Sequence, residues 1–374
     1  MPAVTKKDNP DAFKHWFNEA LVTRISESLK KAYPTFNNKN FMKVAPKLAP
    51  LEMKPRVHFI RDAMAAELPQ DYLKALSVLL KSVELGQLKG FELWPYTEFI
   101  QQQGLDHVEQ SLEALYQLTS KFTAEFAVRP FLIKHPKKTF ATLKKWSTDK
   151  DEHIRRWTSE GSRPRLPWGA KLHASIVDPS AGLEILEKLK FDDSLYVRKS
   201  VANHLNDIAK DHPDLVISTL KSWQKKVTAK DKAKLIWIEK QALRTLIKQG
   251  YKPALEVLGF GEKAQVKLGE LKLNKKKFTE KDILTFELEF TSKSTKAQRL
   301  AVDYIIHYQK AGNKLSPKVF KLKVLDLKPN EKFIIKKNHS LKAVTTRRHY
   351  PGLHKLEIQI NGKVLASADW QLAL

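Results

Sequence analysis

HIRRWTSEG (residues 153–161) and YVRKSVANHLNDIAKDHP (residues 196–213) are two copies of one pattern, set 43 residues apart. Overlaid, Val197 falls on Ile154, Arg198 on Arg155, Lys199 on Arg156 and Asn203 on Glu160. A third, more divergent copy, LIWIEKQALRTLIKQGYKP (residues 235–253), follows about 40 residues on. Helix pairs recurring every 40 to 47 residues or so have the period of HEAT-type solenoids, in which each unit buries its apolar stripe against its neighbours. In the second copy Val197, Val201, Leu205 and Ile208 form that stripe, and Lys199, Asn203 and Asp207, spaced by four, are expected to share the opposite, solvent-facing side.

On either side of the repeat, the first 260 or so residues carry helical periodicity. Asn9 and Pro10 make a cap and first-turn pair, after which Phe13, Phe17, Leu21, Ile25 and Leu29 recur every four residues and stop before Pro34. Further amphipathic helices are expected at 51–67, 71–84, 106–119, 122–133, 136–146, 151–161, 180–190, 194–210, 213–226 and 231–249. Past GFGEKAQ (259–265) the period changes to two. Leu284, Phe286, Leu288 and Phe290 alternate with polar neighbours, and LAVDYIIHYQ, KVFKLKVLDL and HKLEIQI behave alike. Asn361-Gly362 is a type I′ hairpin turn, because both positions tolerate positive φ. About seven short strands without helices point to an immunoglobulin-like sandwich, with His354 where such folds often carry a corner tyrosine. The expected architecture is therefore an α-solenoid over residues 1–262 and an Ig-like β-sandwich over 264–374.

The charge names a class of partner. Of 374 residues, 67 are Lys or Arg and 41 Asp or Glu, a formal net charge of +26, while 42% are hydrophobic. A chain with that apolar content buries a core, so the charge belongs to a folded surface suited to nucleic acid, with anionic membrane as the rival. Residues 267–374 carry 23 basic against 10 acidic residues and the preceding part 44 against 31, so the C-terminal part has over twice the charge density. Zero cysteines exclude disulfides, thiolate zinc, iron–sulfur clusters and cysteine nucleophiles. No apolar run approaches the roughly 20 residues that span a bilayer, and the start lacks a signal-peptide core, so a cytoplasmic protein is expected.

GxxxxGK[ST], HExxH and GxSxG motifs are all missing. His135, His153 and His204 lack metal-ligand spacing, so no metal or cofactor is expected. Carboxylates remain. Glu125 in FTAEFAVRPFL, Glu160 in IRRWTSEG and Asp207 in ANHLNDIAK each fall near the end of a second helix in successive units, and are expected to converge. The stretch 153–171 also sets Glu160 and two indoles, Trp157 and Trp168, among Arg155, Arg156, Arg163, Arg165 and Lys171. Arginine forks suit phosphates and indole faces suit bases or cations. An acid on such a surface is either pinned by an arginine for structure or kept for chemistry. Trp168 lies in the loop RPRLPWG, where an exposed aromatic favours function. Trp157 stays open between packing and surface roles.

KFTAEFAVRPFLIKHP, HIRRWTSEGSRPRLPWG and YVRKSVANHLNDIAKDHP resemble the successive motifs of the DNA alkylation repair glycosylases of the AlkC/AlkD HEAT-like superfamily, specifically the AlkC branch. The strand-rich part is similar to the Ig-like domain of some AlkC members. The resemblance implies excision of cationic N3-methylated bases, 3-methyladenine and 3-methylcytosine, from double-stranded DNA. It implies catalytic acids at Glu125, Glu160 and Asp207, an active-site tryptophan at Trp168 and an active-site arginine at Arg156, with Trp157 as a further base-binding candidate. Phosphate contacts are expected from Arg155, Arg163, Arg165, Lys199 and Arg244, and from Arg347 and Arg348 in TTRRHYPG, a second clamp on the duplex beside Tyr350. The chain is expected to act as a monomer. A non-enzymatic HEAT scaffold for nucleic acid or protein is the alternative, and it gains nothing from three converging carboxylates.

Overall fold

In the computed structural model, which describes residues 12–260, 263–342 and 349–373, helices precede strands. Among the described residues the helices are α1 (Glu19–Ala32), α2 (Asn38–Phe41), α3 (Met53–Glu67), α4 (Tyr72–Gly86), α5 (Trp94–Gln103), α6 (Val108–Thr119), α7 (Arg129–Lys134), α8 (Pro136–Trp146), α9 (Glu152–Gly161), α10 (His173–Val177), α11 (Ser180–Leu189), α12 (Leu195–Ile208), α13 (Pro213–Lys226), α14 (Lys232–Ala242), α15 (Arg244–Lys248) and α16 (Lys252–Val257). The strands are β1 (Val266–Leu268), β2 (Lys272–Leu273), β3 (Lys277–Phe278), β4 (Ile283–Ser292), β5 (Gln298–Gln309), β6 (Leu315–Leu327), β7 (Lys332–Ser340), β8 (Gly352–Ile360) and β9 (Lys363–Leu372). No described helix is long and apolar enough to cross a membrane. The contacts divide the chain into two units, Met1–Asp207 and Ile208–Leu374.

Within the first unit helices pack pairwise: α1 on α4, α3 on α5, α8 on α9, and α11 on both α8 and α9. Their boundaries follow from local chemistry. The Asn18 side chain accepts from the Leu21 amide and starts α1, while Phe13–Trp16 forms a separate 3-10 turn, so the long first helix expected from the four-residue spacing is split. Asn9 and Pro10 lie outside the described residues. The helix expected over 122–133 begins only at Arg129. Pro130, lacking an N–H, suits a first turn, and the residues before it form turns that take Glu125 out of any helix. The helix expected over 231–249 breaks at Leu243 into α14 and α15. The pattern gives no sign of α5, because Trp94 to Ile100 are all buried and a helix covered on every side has no amphipathic period.

In the second unit the strands form two sheets. One has the order β1-β4-β2 with β7 also on β4; the other runs β3-β9-β8-β5-β6. Leu284, Phe286, Leu288 and Phe290 all point into the shared core with Val302, Ile306, Leu356 and Ile358, as the alternation requires. His354 is buried there and stacks on Trp370 at 4.4 Å between centroids.

The last helices and the sandwich meet tightly inside this unit. Asn361 and Gly362 have φ of 47° and 76°, the hairpin turn expected from sequence. Gly362 lies against the backbone of Gly250, itself at φ 71°, such that a Cβ on Gly250 would sit 2.7 Å from the Gly362 carbonyl oxygen. Gln359 Nε2 donates to the Lys248 carbonyl at 3.1 Å, and Leu255, Phe260 and Ala301 close an apolar seam. Gly362→Ala therefore meets both a positive φ and an occupied backbone. It should lower stability by about 1–3 kcal/mol, read as a drop in the melting temperature of the full chain; an unchanged melt would show that the two glycines do not touch.

Candidate active site of the helical unit

Arg155 and Arg198, equivalent in the repeat, do the same work. Arg155 Nη1 donates to the carbonyls of Asp149 and Lys150, both at 2.9 Å; Arg198 Nη1 donates to those of Asp192 and Asp193 at 2.6 and 2.8 Å. Each arginine closes the loop five and six residues before it. Arg155 also grips the Asp192 carboxylate with Nε at 2.6 Å and Nη2 at 3.0 Å, linking α9 to the loop before α12. That hydrogen bond, more than any other effect, raises the Arg155 pKa. The sequence expectation of a phosphate contact at Arg155 is corrected to an inter-repeat staple.

The three acids lie along one chain of alternating charge. Arg156 Nη1 donates to Glu125 Oε2 and to Thr123 Oγ1 (2.9 Å), and its Nη2 lies 3.5 Å from Glu160 Oε1. Arg163 Nη1 donates to the same Glu160 oxygen at 2.7 Å, while its Nε and Nη2 both reach Asp207 Oδ2 at 2.8 Å. Ser200 Oγ donates to Glu160 Oε2 at 2.6 Å. The series Glu125–Arg156–Glu160–Arg163–Asp207 thus runs from the turn before α7, through the last turn of α9, to the last turn of α12. Burial, the largest effect on Arg163, works against its charge, yet Glu160 and Asp207 together outweigh it and raise its pKa.

Two expectations change here. Asp207 is not on a solvent face: it is 3% exposed, because that side of α12 abuts the end of α9. Arg163 is buried between two carboxylates and does not belong to an outer phosphate rim. Trp157 is 0% exposed and stacks on Trp146 at 5.5 Å, so its role is packing. Lys199 is exposed, Arg165 half-buried, and Arg244 belongs to the second unit. Arg347 and Arg348 lie outside the described residues.

Trp168 is 72% exposed and adopts φ 65°, a conformation that costs a non-glycine residue about 1–2 kcal/mol. The turn is held from both sides. Lys54 Nζ donates to the Trp168 carbonyl at 2.6 Å and sits 5.8 Å from the centroid of Phe126, the neighbour of Glu125. Arg129, missed by the sequence reading, lies beneath: its Nε donates to the Ala170 carbonyl at 2.6 Å and its Nη1 to those of Gly161 and Arg163, both at 2.8 Å. One buried guanidinium therefore joins α7, the end of α9 and the tryptophan turn. Burial first, and then the nearby Arg163, push its pKa down to about 10. VRPFL carries no mark of this, since its acceptors are backbone carbonyls. On the outer side, Arg156 lies over the Tyr196 ring at 5.1 Å. The arrangement presents a carboxylate-rich interior with one fewer cation than anion along the chain, beside an exposed aromatic face, which suits a positively charged, flat ligand.

His204 is buried next to this chain, its Nδ1 3.0 Å from the Ser159 carbonyl oxygen; burial first, and Arg163 next, push its pKa down to about 3. Between about pH 3 and 6.5 the unfolded chain therefore binds a proton that the folded chain refuses. Stability from this group is complete above pH 6.5 and declines as pH falls below it. Melting curves of wild type and His204→Gln across that range should converge toward acid; parallel curves would remove His204 from the acid response. For Arg155→Ala, a lower melting temperature with an unchanged salt slope of DNA binding is expected, whereas a slope reduced by about one unit at constant melting temperature would restore the phosphate contact.

The family described as "Uncharacterised protein YhaZ, C-terminal Ig-like domain" matches residues 267–374. The protein YhaZ of Bacillus subtilis (strain 168) is 38% identical over 361 residues, covering 96% of this chain and 99% of YhaZ. The structure of Pseudomonas fluorescens alkylpurine DNA glycosylase AlkC, bound to DNA containing an abasic site analog, is similar with a TM-score of 0.90 and 37% identity, covering 97% of this chain and 100% of that one. With likeness extending over both the helices that hold the acids and the sandwich, the chain belongs to the AlkC branch of the DNA alkylation repair glycosylase family, with a C-terminal Ig-like domain.

Proposed function

We propose that the protein is a DNA glycosylase that hydrolyses the N-glycosidic bond of cationic N3-methylated bases, 3-methyladenine and 3-methylcytosine, in double-stranded DNA. The observation that carries this reading is the buried Glu125–Arg156–Glu160–Arg163–Asp207 chain, in a protein alike over nearly its whole length to a DNA-bound alkylpurine glycosylase. An N3-methylated base already bears the positive charge that a general acid would otherwise supply, so it leaves as a neutral molecule. What the protein must supply is stabilisation of an oxocarbenium-like sugar and a positioned water, and carboxylates serve both needs.

Asp207 is the principal group for the developing cation and the water in this reading. Arg163 fixes one of its oxygens with two donors, which sets the carboxylate plane. Glu125 and Glu160 complete the anionic lining, and Arg156 keeps them from repelling one another apart. The face of Trp168 holds the cationic base, an attraction worth roughly 0.5–2 kcal/mol that an uncharged base does not receive. Arg165 and Lys199 contact phosphates on this side. Residues 1–262 act as a HEAT-like repeat that carries the chemistry, and residues 264–374, with Arg347 and Arg348, clamp the duplex. The chain works as a monomer, without metal or cofactor, in the cytoplasm.

The test is release of free base. Incubating the full chain with methylated duplex and analysing the supernatant by mass spectrometry should detect 3-methyladenine or 3-methylcytosine; if neither appears, the reading fails. Asp207→Asn should lower release by about 100-fold or more while DNA affinity stays equal or rises. Wild-type release by a variant with an unaltered melt would take the central role away from Asp207.

A further inference from the structure

Six basic side chains gather around one cavity inside the second unit, far more than the single carboxylate among them requires. The cavity has a volume of about 280 Å³ and is lined by Lys240 of α14, Arg244 and Lys248 of α15, Arg299 of β5, and Lys321 and Lys323 of β6. Asp303 is the one acid, and Ile247, Phe260 and Val324 give the lining its apolar part. The sheet is irregular at this point. Val302 pairs with Lys323 and Asp303 with Lys321, so Leu322 is the extra residue of a bulge, which sets two lysines against adjacent residues of β5. Asp303 accepts a hydrogen bond from the Leu322 backbone, capping that bulge. Its carboxylate thus has a structural task, and five positive charges are left over in a partly enclosed space.

Arg299 adds a second indication. Its guanidinium lies over the Phe260 ring at 5.4 Å and Nη1 reaches the Leu258 carbonyl only at 3.4 Å, while its buried Nε has no hydrogen-bond partner among the described residues. A buried donor of a charged group without an acceptor is costly unless something supplies one. Cations over apolar and aromatic walls fit a ligand with an anionic end and a flat or apolar body. The volume, at the lower end of small-molecule pockets, leaves room for one nucleotide unit and excludes a duplex.

We infer that this cavity binds a nucleotide: its phosphate on Arg244, Arg299, Lys321 and Lys323, and its sugar or base against Ile247, Phe260 and Val324. The nucleotide is either free or part of a DNA strand, and the chemistry of recognition is the same. The site stands apart from the acid chain and does not depend on the glycosylase reading.

Calorimetric titration of the full chain with deoxyadenosine monophosphate, and fluorescence anisotropy with a single-stranded oligonucleotide at several salt concentrations, test it. Two variants separate charge from space: Lys321→Glu with Lys323→Glu, and Val324→Phe, which fills the cavity at constant charge. Binding of the monophosphate that falls roughly tenfold or more in both variants assigns a free nucleotide. A similar fall for the oligonucleotide, with the salt slope of the charge variant lower by about one unit per lost phosphate contact, assigns a strand. If neither probe binds more weakly in a folded variant than in wild type, or neither binds wild type, the inference is overturned. Loss of base release in the wild type would instead sink the glycosylase reading and leave this result untouched.

Discussion

The Arg163 guanidinium, gripping Glu160 with one edge and Asp207 with another, ties the end of one helical repeat to the end of the next. Burying such a group gains little net stability, because the desolvation of three charges offsets most of their attraction. Its value is positional. Without a cation between them, Glu160 and Asp207 would repel and one would take up a proton; with it, both stay charged in a space from which water is largely excluded. Arg129 does for the backbone what Arg163 does for the acids, since its three carbonyl contacts fix where α9 ends and where the Trp168 turn begins.

The repeat was legible because it repeats a mechanical device. Ile154 and Val197 are core residues in both copies, and Arg155 and Arg198 close the preceding loop in both. The acids were legible as residues that such a surface does not need. What the chain of letters did not disclose is direction: an arginine that meets phosphate and one that meets a carboxylate 44 residues away look the same in a sequence. Arg163 is therefore inside where a rim was expected, and Asp207 is covered where solvent was expected. Glu125 sits in a turn because Pro130 starts α7 late, a boundary that amphipathic spacing does not fix.

The two tryptophans of the WTSEG–RPWG stretch show how the same residue type divides by backbone. Trp157, inside α9, has its ring against Trp146 and serves the core. Trp168, in a turn that no helix continues, is pressed into a left-handed conformation by Lys54 above and Arg129 below, and its ring has nowhere to go but outward. A protein that bears this strain at an exposed position is maintaining a surface for something to rest on.

The contact between Gly250 and Gly362 bears on how such proteins diversify. Backbone touches backbone there, so neither the α15–α16 turn nor the β8–β9 hairpin can change length or acquire a side chain alone. The apolar seam of Leu255, Phe260 and Ala301 beside it means that a break at the change from helices to strands would strip both faces at once. For recombination between relatives, the segment that can be exchanged intact is the one from Ile208 to the end, with its last helices carried along. The sandwich is in that respect the terminal cap of a helical array, which would otherwise end on an uncovered apolar face.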